Sequence, residues 1–196
     1  HFTFDNSDIK ITDATVKADK LNTVAGYTSG SVIATLEAAT TIDDATVTTL
    51  VAVNSSDIIS LTSSVTTADA TALVSLAGKV ATVDGIAFAS VKTITETSAT
   101  DVVSALNIAG NDAAATITGA ISAASADAIA DATSGVVTAA VTGDTAAALN
   151  LALVDSGAQV NAYTLSVSNN AGITNATDLI GLDAKTSVAV NAASVT

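Results

Sequence analysis

An aspartate followed by an apolar segment recurs along this chain, and this repeat constrains the fold more than any other sequence feature. Its members are Asp19, Asp44, Asp69, Asp101, Asp127 and Asp178. The first three follow one another at equal steps, with a period of about 25 residues, and the last two are about two periods apart. The fourth comes later than this period predicts, which implies an insertion near Gly85 to Glu96. Such a period is typical of proteins whose repeats stack along an axis.

Short helices are predicted after these aspartates. Apolar residues at the i, i+3, i+4 spacing of one helix face are Leu21, Val24 and Ala25, then Val47, Leu50 and Val51, then Val102, Val103 and Leu106. An Asp in the first turn suits the positive end of the helix dipole. The residues predicted as N-caps are Thr67, Ser125 and Asn175. The glycines predicted to end helices are Gly30, Gly78, Gly110, Gly135 and Gly157.

A β-branched run follows each predicted helix. The runs are Ser31 to Leu36, Ile58 to Leu61, Val80 to Val83, Ala113 to Thr118, Val136 to Val141, Val160 to Val167 and Ser187 to Val190. Strands that alternate with short helices favour parallel pairing through right-handed crossovers. We predict an α/β fold, a parallel β-solenoid with short helices, a repeat of about 25 residues and about seven coils. The alternative is an all-β solenoid in which the Ala-rich segments form strands or turns.

The length fits a single solenoid repeat domain over residues 1–196. The chain begins at His1 with no initiator Met and no leader, and its last run, SVAVNAASVT, reads as a repeat cut in mid-course. These two features predict a processed fragment of a longer chain.

The composition excludes several functions. The chain has no Cys, Pro, Met, Trp or Arg, and its net charge is −13. Nucleic acid is not an expected partner, because phosphate recognition relies on Arg and an acidic surface repels polyanions. No run of about 18 apolar residues occurs, so we expect no transmembrane segment. We expect no catalytic residues and no enzyme activity, because the single His is His1 and no Cys nucleophile exists.

Two pairs of carboxylates are the candidate metal ligands. Asp5 lies close in sequence to Asp8, and Asp43 is adjacent to Asp44. Carboxylate oxygens can bind calcium, although neither pair belongs to an EF-hand pattern. The alternative is that these residues are solvated acids in turns. No other cofactor is expected.

Several segments resemble a known class of repeat. The runs NAYTLSVSNN, NATDLIGLDAKTSVAVNAASVT and SADAIADATSGVVTAAV are similar to Ala/Thr/Val/Asp-rich tandem repeats of very large secreted and cell-surface proteins of aquatic bacteria, cyanobacteria especially. The resemblance covers most of the chain from about Val16 onward. It implies an extracellular surface or fibre role, sometimes beside calcium-binding repeats, but the GGxGxD nonapeptide of such repeats is absent here.

These observations predict a structural subunit or shaft of an extracellular filament, fibre or surface layer that assembles end to end. The terminal runs HFTF and SVAVNAASVT read as unpaired strand edges, so the expected partner is a second copy in a head-to-tail homopolymer. The alternative is an adhesin or another module that binds ice or polysaccharide at the cell surface. That function needs a regular Thr ladder, and Ala81 beside Thr82 and Ala139 beside Thr138 interrupt it.

Overall fold

The computed structural model describes residues 4–38, 40–81, 88–110, 112–154, 159–168 and 175–193 of the chain. The chain divides into two compact units. His1–Ile94 with Ile108–Gly110 make up the first, and Thr95–Asn107 with Asn111–Thr196 make up the second. The single domain over residues 1–196 stays a prediction, because two compact units can belong to one domain.

Strands and short helices alternate along the chain. In chain order the strands are β1 (Ile9–Lys10), β2 (Val32–Leu36), β3 (Thr41–Ile42), β4 (Ile58–Leu61), β5 (Thr67–Asp69), β6 (Thr93–Glu96), β7 (Ala114–Ile121), β8 (Val137–Val141) and β9 (Ala162–Thr164). The helices are α1 (Ala18–Ala25), α2 (Asp44–Thr49), α3 (Ala70–Lys79), α4 (Ala99–Ala109), α5 (Ala123–Asp131), α6 (Ala146–Ala152) and α7 (Ala176–Asp183). The α/β class is confirmed, and the all-β alternative is wrong because the Ala-rich segments are helices.

Parallel pairing builds the sheets of the first unit. Three strands lie in the order β1-β2-β4, and β3 pairs with β5. Ile9 lies opposite Val32, and Ile33 lies opposite Ile58 of the next strand. Helix α1 packs on α2, and α2 packs on α3. A helix thus lies between successive strands of the sheet, as parallel pairing requires a long connection.

The second unit also has parallel pairing, with β7, β8 and β9 in that order. Thr138 lies opposite Thr116 on one side and opposite Ala162 on the other. The register shifts between Thr116 and Ala120, where Gly119 has a φ of +99°. Such a bulge needs a glycine, because other residues rarely adopt this φ. Helix α5 packs on α6, and α6 packs on α7.

Aliphatic side chains fill the space between strands and helices in both units. The fully buried large residues of the first unit are Leu21, Leu36, Ile42, Leu50, Ile59, Leu73, Leu76 and Ile94. In the second unit Tyr163 is completely buried, and its hydroxyl donates to the backbone oxygen of Ala126 at 3.3 Å. The residue opposite Tyr163 on β8 is the buried Ala139. A large side chain beside a small one lets the layers interdigitate at close-packed density.

Two of the predicted helix faces are buried at two of their three positions, while the third residue, Val24 in α1 and Val103 in α4, is half-buried. Leu21 and Ala25 are buried on α1, and Val102 and Leu106 are buried on α4. The prediction for Val51 is wrong, because this side chain is 78% exposed. Helix α2 ends at Thr49, and the backbone leaves the helical region at the next residue (φ −84°, ψ 58°), so helical spacing no longer applies.

One of the three predicted N-caps is confirmed. The side chain of Asn175 accepts a hydrogen bond from the N–H of Thr177 at 2.9 Å. Ser125 lies inside α5, whose N-cap is Ser122, and Thr67 lies in β5. Several Ser, Thr and Asp residues lie within one turn of each helix start, and all of them have a side-chain oxygen that can cap. The extended backbone that defines the cap is not visible in the sequence.

Most of the recurring aspartates occupy the first turn of a helix, as predicted. These are Asp19, Asp44, Asp101 and Asp178. Asp69 is instead the N-cap residue of α3, with no capping hydrogen bond from its side chain. Asp127 lies beyond the first turn of α5, so the prediction for it is wrong.

The predicted glycine helix ends are confirmed at one position. Gly110 directly follows α4 and has a φ of +109°. Gly78 lies inside α3, and Gly30 and Gly135 lie more than one helical turn beyond the ends of α1 and α5. Those three assignments are wrong. Gly157 lies outside the described residues.

Three predicted strands are present within one residue of their predicted bounds, namely those realised as β2, β4 and β8. The runs at Ala113 to Thr118 and Val160 to Val167 become β7 and β9 with shifted ends. Val80 and Ala81 form no strand, and positions 82 and 83 lie outside the described residues. The run Ser187 to Val190 is not a strand, although Thr186 and Asn191 on either side of it form parallel β-bridges. The sequence did not predict β1, β3, β5 or β6.

Candidate functional site

The first pair of predicted calcium ligands lies in the turn before β1. Asp5 is exposed, and its backbone oxygen accepts a hydrogen bond from the N–H of Ser29 at 3.0 Å. The carboxylate of Asp8 accepts a hydrogen bond from the N–H of Ser31 at 2.8 Å. A cation at Asp8 would therefore share this carboxylate with a backbone donor of the neighbouring strand.

The second pair lies at the start of α2. Asp43 is its N-cap, and the carboxylate accepts hydrogen bonds from the hydroxyl of Thr46 at 2.7 Å and from its N–H at 2.8 Å. These two bonds, the hydroxyl first, lower the pKa of Asp43 below its ordinary value of 3.8. Asp44 accepts a bond from the hydroxyl of Thr71 at 3.3 Å. Calcium binding at these residues stays a prediction.

No metal site is assembled elsewhere in the described part of the chain. Among those residues, no group of three or more His, Cys, Asp or Glu side chains is placed to hold a metal ion.

Two buried polar side chains connect the starts of neighbouring strands. Asp57 immediately precedes β4, and its carboxylate accepts from the N–H of Val32 at 2.7 Å and from the N–H of Asn54 at 2.9 Å. Asn161 immediately precedes β9, and its side-chain oxygen accepts from the N–H of Val137 at 2.9 Å. Both side chains have no exposed surface. They satisfy the N–H of the first residue of β2 and of β8, groups that would otherwise be buried without a partner.

A threonine in a turn makes a second recurring connection. The hydroxyl of Thr133 donates to the backbone oxygen of Ala113 at 2.6 Å and accepts from the N–H of Gly135 at 2.9 Å. The hydroxyl of Thr28 likewise donates to the backbone oxygen of Ser7 at 2.6 Å and accepts from the N–H of Gly30 at 2.9 Å. The hydroxyl of Thr186 donates to the backbone oxygen of Tyr163 at 2.7 Å and accepts from the N–H of Val188 at 3.1 Å. Each hydroxyl thus holds its own turn and the preceding strand segment together.

Two of the glycines that the sequence assigned to helix ends, Gly30 and Gly135, belong to these turns. A Cβ atom on Gly135 would lie 2.5 Å from the backbone oxygen of Ala113, and one on Gly30 would lie 2.5 Å from that of Ser7. Real Cβ contacts are not this short. Glycine is therefore required because two backbone segments approach closely, and helix termination is not the reason.

Side chains of one helix also bind the backbone just beyond the next helix. Asn22 of α1 accepts from the N–H of Ala52 at 2.6 Å, and Asp127 of α5 accepts from the N–H of Val154 at 2.8 Å. Asn22 and Asp127 occupy the same position relative to the N-cap of their helix. Asp127 therefore connects α5 to the segment after α6.

The outward row of the second sheet carries short side chains. Thr116 and Thr138 are opposite each other, but Ala162 follows them in the row. In the first unit the hydroxyls of Thr35 and Ser60 lie 3.2 Å apart across β2 and β4. Toward β9 the Thr row therefore ends at Ala162, and in the first unit Thr41 lies opposite Thr67.

An apolar groove of about 380 Å³ lies along α7 and the segment that follows it. Its lining residues are Leu179, Ile180, Asp183, Ala189, Val190 and Ala192. Ile180 is 71% exposed. A second groove, of about 250 Å³, lies between α4 and α5 and is lined by Ala99, Thr100, Val103, Ser104, Ser125 and Ala128.

Comparison of the chain with family models, with curated proteins and with solved structures found no match. None of the helices in the described ranges is long and apolar enough to cross a membrane.

The buried polar side chains in the described part of the chain stabilise the backbone. These residues are Asp57, Thr133, Asn161 and Thr186, and each bonds to backbone groups of a neighbouring segment. An acceptor that already satisfies a buried N–H is held in one geometry and would leave that group unpaired if it moved.

The sequence contains a pattern that marks some of these residues. The tripeptide Thr-Ser-Gly occurs at residues 28–30 and 133–135, and Thr-Ser-Val occurs at 186–188. Asp57 and Asn161 each stand close before a strand, but the sequence has many Asp and Asn residues. Only the structure shows which of them are buried.

Proposed function

We propose that this chain is a structural, non-catalytic module of an extracellular or cell-surface filament, fibre or layer. In this proposal one helix and the strands that follow it form a coil, and successive coils stack as a parallel solenoid that continues from copy to copy. Each coil buries its apolar face only against its neighbours, so the stability comes from stacking.

The observation that carries the proposal is parallel pairing between segments that are one period apart. Ile33 is opposite Ile58, and Thr138 is opposite Ala162, so both pairs are separated by about 25 residues. The bridge from Asn161 to Thr186 again spans one period. The same step in both units is what stacked coils of one length would produce.

The recurring side-chain connections support the same proposal. Thr28, Thr133 and Thr186 bond to segments that precede them by 21, 20 and 23 residues. Asp57 and Asn161 bond to the strand start that precedes them by 25 and 24 residues. Interactions confined to adjacent segments are typical of solenoids, in which each repeat contacts only the neighbouring repeats.

The absence of internal His, of Cys and of Arg supports a non-catalytic role, and the resemblance to bacterial surface-protein repeats supports an extracellular location. A module that binds ice or polysaccharide is the alternative, but the Thr row that it would need stops at Ala162. We therefore favour the structural role.

Electron microscopy and multi-angle light scattering of the purified chain test the proposal. We expect linear oligomers or filaments whose length increases with protein concentration. A dispersed monomer at all concentrations up to the solubility limit would contradict end-to-end assembly by this chain.

A further inference from the structure

We propose that the groove along α7 is the docking surface for the β1–α1 coil of a second copy of this chain. This inference rests on the structural role proposed above and names the surface and the partner through which it operates. In the purified chain, a second copy supplies another coil of this kind.

The groove continues an interface that already exists within the chain. Helix α7 packs on α6, where a Cβ on Gly181 would lie 2.8 Å from the side-chain amide of Asn150. The ammonium group of Lys185 donates to the backbone oxygen of Leu153. The face of the α6 coil that looks toward α7 is therefore covered by helix packing and by hydrogen bonds.

The helical part of the groove corresponds to that covered face. Leu149 is the fourth residue after the N-cap of α6 and is 1% exposed, whereas Leu179, the fourth residue after the N-cap of α7, is only half-buried. The next position is Asn150 in α6, which contacts α7, and Ile180 in α7, which is 71% exposed. The position at which α6 contacts α7, Asn150, is thus uncovered on α7.

The strand part of the groove shows the same difference. Residues bridged across this interface are one period apart, as in the bridge from Ser166 to Asn191. Leu165 and Val167 are 0% and 3% exposed. Their counterparts one period later, Val190 and Ala192, are half-buried and line the groove. Both layers of the α7 coil therefore present a surface that fits another strand and helix.

The β1–α1 coil supplies such a strand and helix. The N–H of Ile9 donates to the backbone oxygen of Ser31, the residue before β2, at 2.8 Å, and the N–H of Ile11 donates to that of Ile33 at 2.9 Å. Because consecutive residues of a strand point their polar groups to opposite edges, the N–H and C=O of Lys10 face away from β2. The described residues provide no strand on that side of β1. The two surfaces differ, so the contact is heterologous and can propagate.

Substitution of Ile180 tests the groove. Ile180→Asp should weaken association about tenfold or more in sedimentation velocity, because it places a charge in the buried contact. Leu151→Asp is the matched control, since Leu151 is 80% exposed on α6, does not line the groove, and receives the same charge. We expect this control to associate like the unmodified chain. Circular dichroism verifies that both variants are folded.

A mixing experiment identifies the occupant. Lys10→Pro removes the N–H at the free edge of β1 and leaves the bonds from Ile9 and Ile11 in place. At a concentration at which the unmodified chain associates and the weakened contact does not, we expect Ile180→Asp and Lys10→Pro each to be mainly monomeric alone, and an equimolar mixture to form 1:1 dimers that do not grow. Dimerisation of Lys10→Pro alone would mean that two grooves meet, and would overturn the assignment.

The remaining outcomes separate this inference from the proposed function. If the unmodified chain assembles and Ile180→Asp and Leu151→Asp behave alike, the groove is not the contact, but the structural role stands. If the unmodified chain does not assemble at any concentration, both proposals fail.

Discussion

The carboxylate of Asp57 accepts a hydrogen bond of 2.7 Å from the backbone N–H of Val32, 25 residues earlier in the chain. Asp57 has no exposed surface, and its other oxygen accepts from the N–H of Asn54. A single side chain therefore satisfies two backbone donors, one in its own turn and one in the neighbouring strand. Asn161 makes the corresponding bond to Val137 in the second unit.

Removing the Asp57 side chain should be costly. We expect Asp57→Ala to lower the free energy of unfolding by about 2 to 4 kcal/mol, because it leaves the buried N–H of Val32 and the part-buried N–H of Asn54 unpaired. Asp57→Asn should cost about 1 kcal/mol, since it keeps one oxygen for Val32, as Asn161 does for Val137, and loses the second acceptor. Urea denaturation measures both values. Equal costs for the two variants would contradict this account of Asp57.

Two glycines should respond in opposite directions to the same substitution. Gly135→Ala should destabilise the protein by about 1 to 3 kcal/mol, because its Cβ would lie 2.5 Å from the backbone oxygen of Ala113. Gly78→Ala is the matched control inside α3, where a Cβ meets no heavy atom within 4 Å. It should stabilise the protein by about 0.5 to 1 kcal/mol. Thermal denaturation of the two variants checks the signs, and a stabilising Gly135→Ala would refute the close approach.

The cap of α2 should depend on pH. The pKa of Asp43 is lower in the folded chain than its ordinary value of 3.8 because of the hydroxyl and N–H of Thr46. Its stabilising contribution is therefore complete above this ordinary value and is lost as the pH falls through the lower, folded value. Asp43→Ala should cost about 1 kcal/mol at neutral pH. The difference from the unmodified chain should shrink below pH 3.8.

The matched control for this pH dependence is Asp44→Ala. Asp44 is adjacent in sequence and accepts only a long bond from Thr71, so its loss should cost less at neutral pH. Urea denaturation at neutral pH and at a pH below the ordinary pKa of Asp43 gives the four free energies. A cost of Asp43→Ala that does not change between these two conditions would contradict the assigned role of its carboxylate.

Local patterns predicted the class of this fold but not its connections. Periodic apolar residues located the buried faces of α1 and α4, and β-branched runs located β2, β4 and β8. The strands β1 and β3 are two residues long and are defined by pairing with distant segments, so no local pattern marks them. Gly135 illustrates the same limit. Glycine is required at this position because the backbone of Ala113, a distant segment, lies too close for a Cβ atom. A contact between such distant segments is set by register, which the sequence alone left open.

Three of the four calcium candidates, Asp5, Asp8 and Asp44, are exposed, as solvated acids in turns would be, but the structural roles of the four could not be predicted. Asp43 has the same side chain as Asp44 and stands next to it, yet only Asp43 has the extended backbone of an N-cap. The Thr-Ser-Gly turns could have been found from the sequence, since the tripeptide occurs twice. The structural role of the tripeptide could not be predicted, because the hydroxyl of Thr133 bonds to a backbone oxygen 20 residues earlier in the chain.

Salt should affect association between copies more than it affects the fold. The net charge is −13, so bringing copies together opposes like charges over distances that salt can screen. The Debye length falls from about 30 Å at 0.01 M to about 3 Å at 1 M ionic strength. We expect association, measured by light scattering, to strengthen several-fold across this range. The urea midpoint should change less, because the described interior is held by short-range hydrogen bonds and apolar packing.

Calcium at matched ionic strength separates screening from bridging. If exposed acids such as Asp5 and Asp8 bridge copies through calcium, then millimolar calcium should strengthen association beyond the effect of sodium chloride of equal ionic strength, and a chelator should reverse it. The double variant Asp5→Asn, Asp8→Asn should abolish that extra effect of calcium. The double variant Asp43→Asn, Asp44→Asn changes the net charge equally and shows whether the second pair of carboxylates contributes to calcium bridging. Screening alone predicts that both double variants associate more strongly than the unmodified chain at low salt, because each removes two negative charges. If low salt and chelator leave both association and the melting temperature unchanged, charge does not control the assembly of this chain.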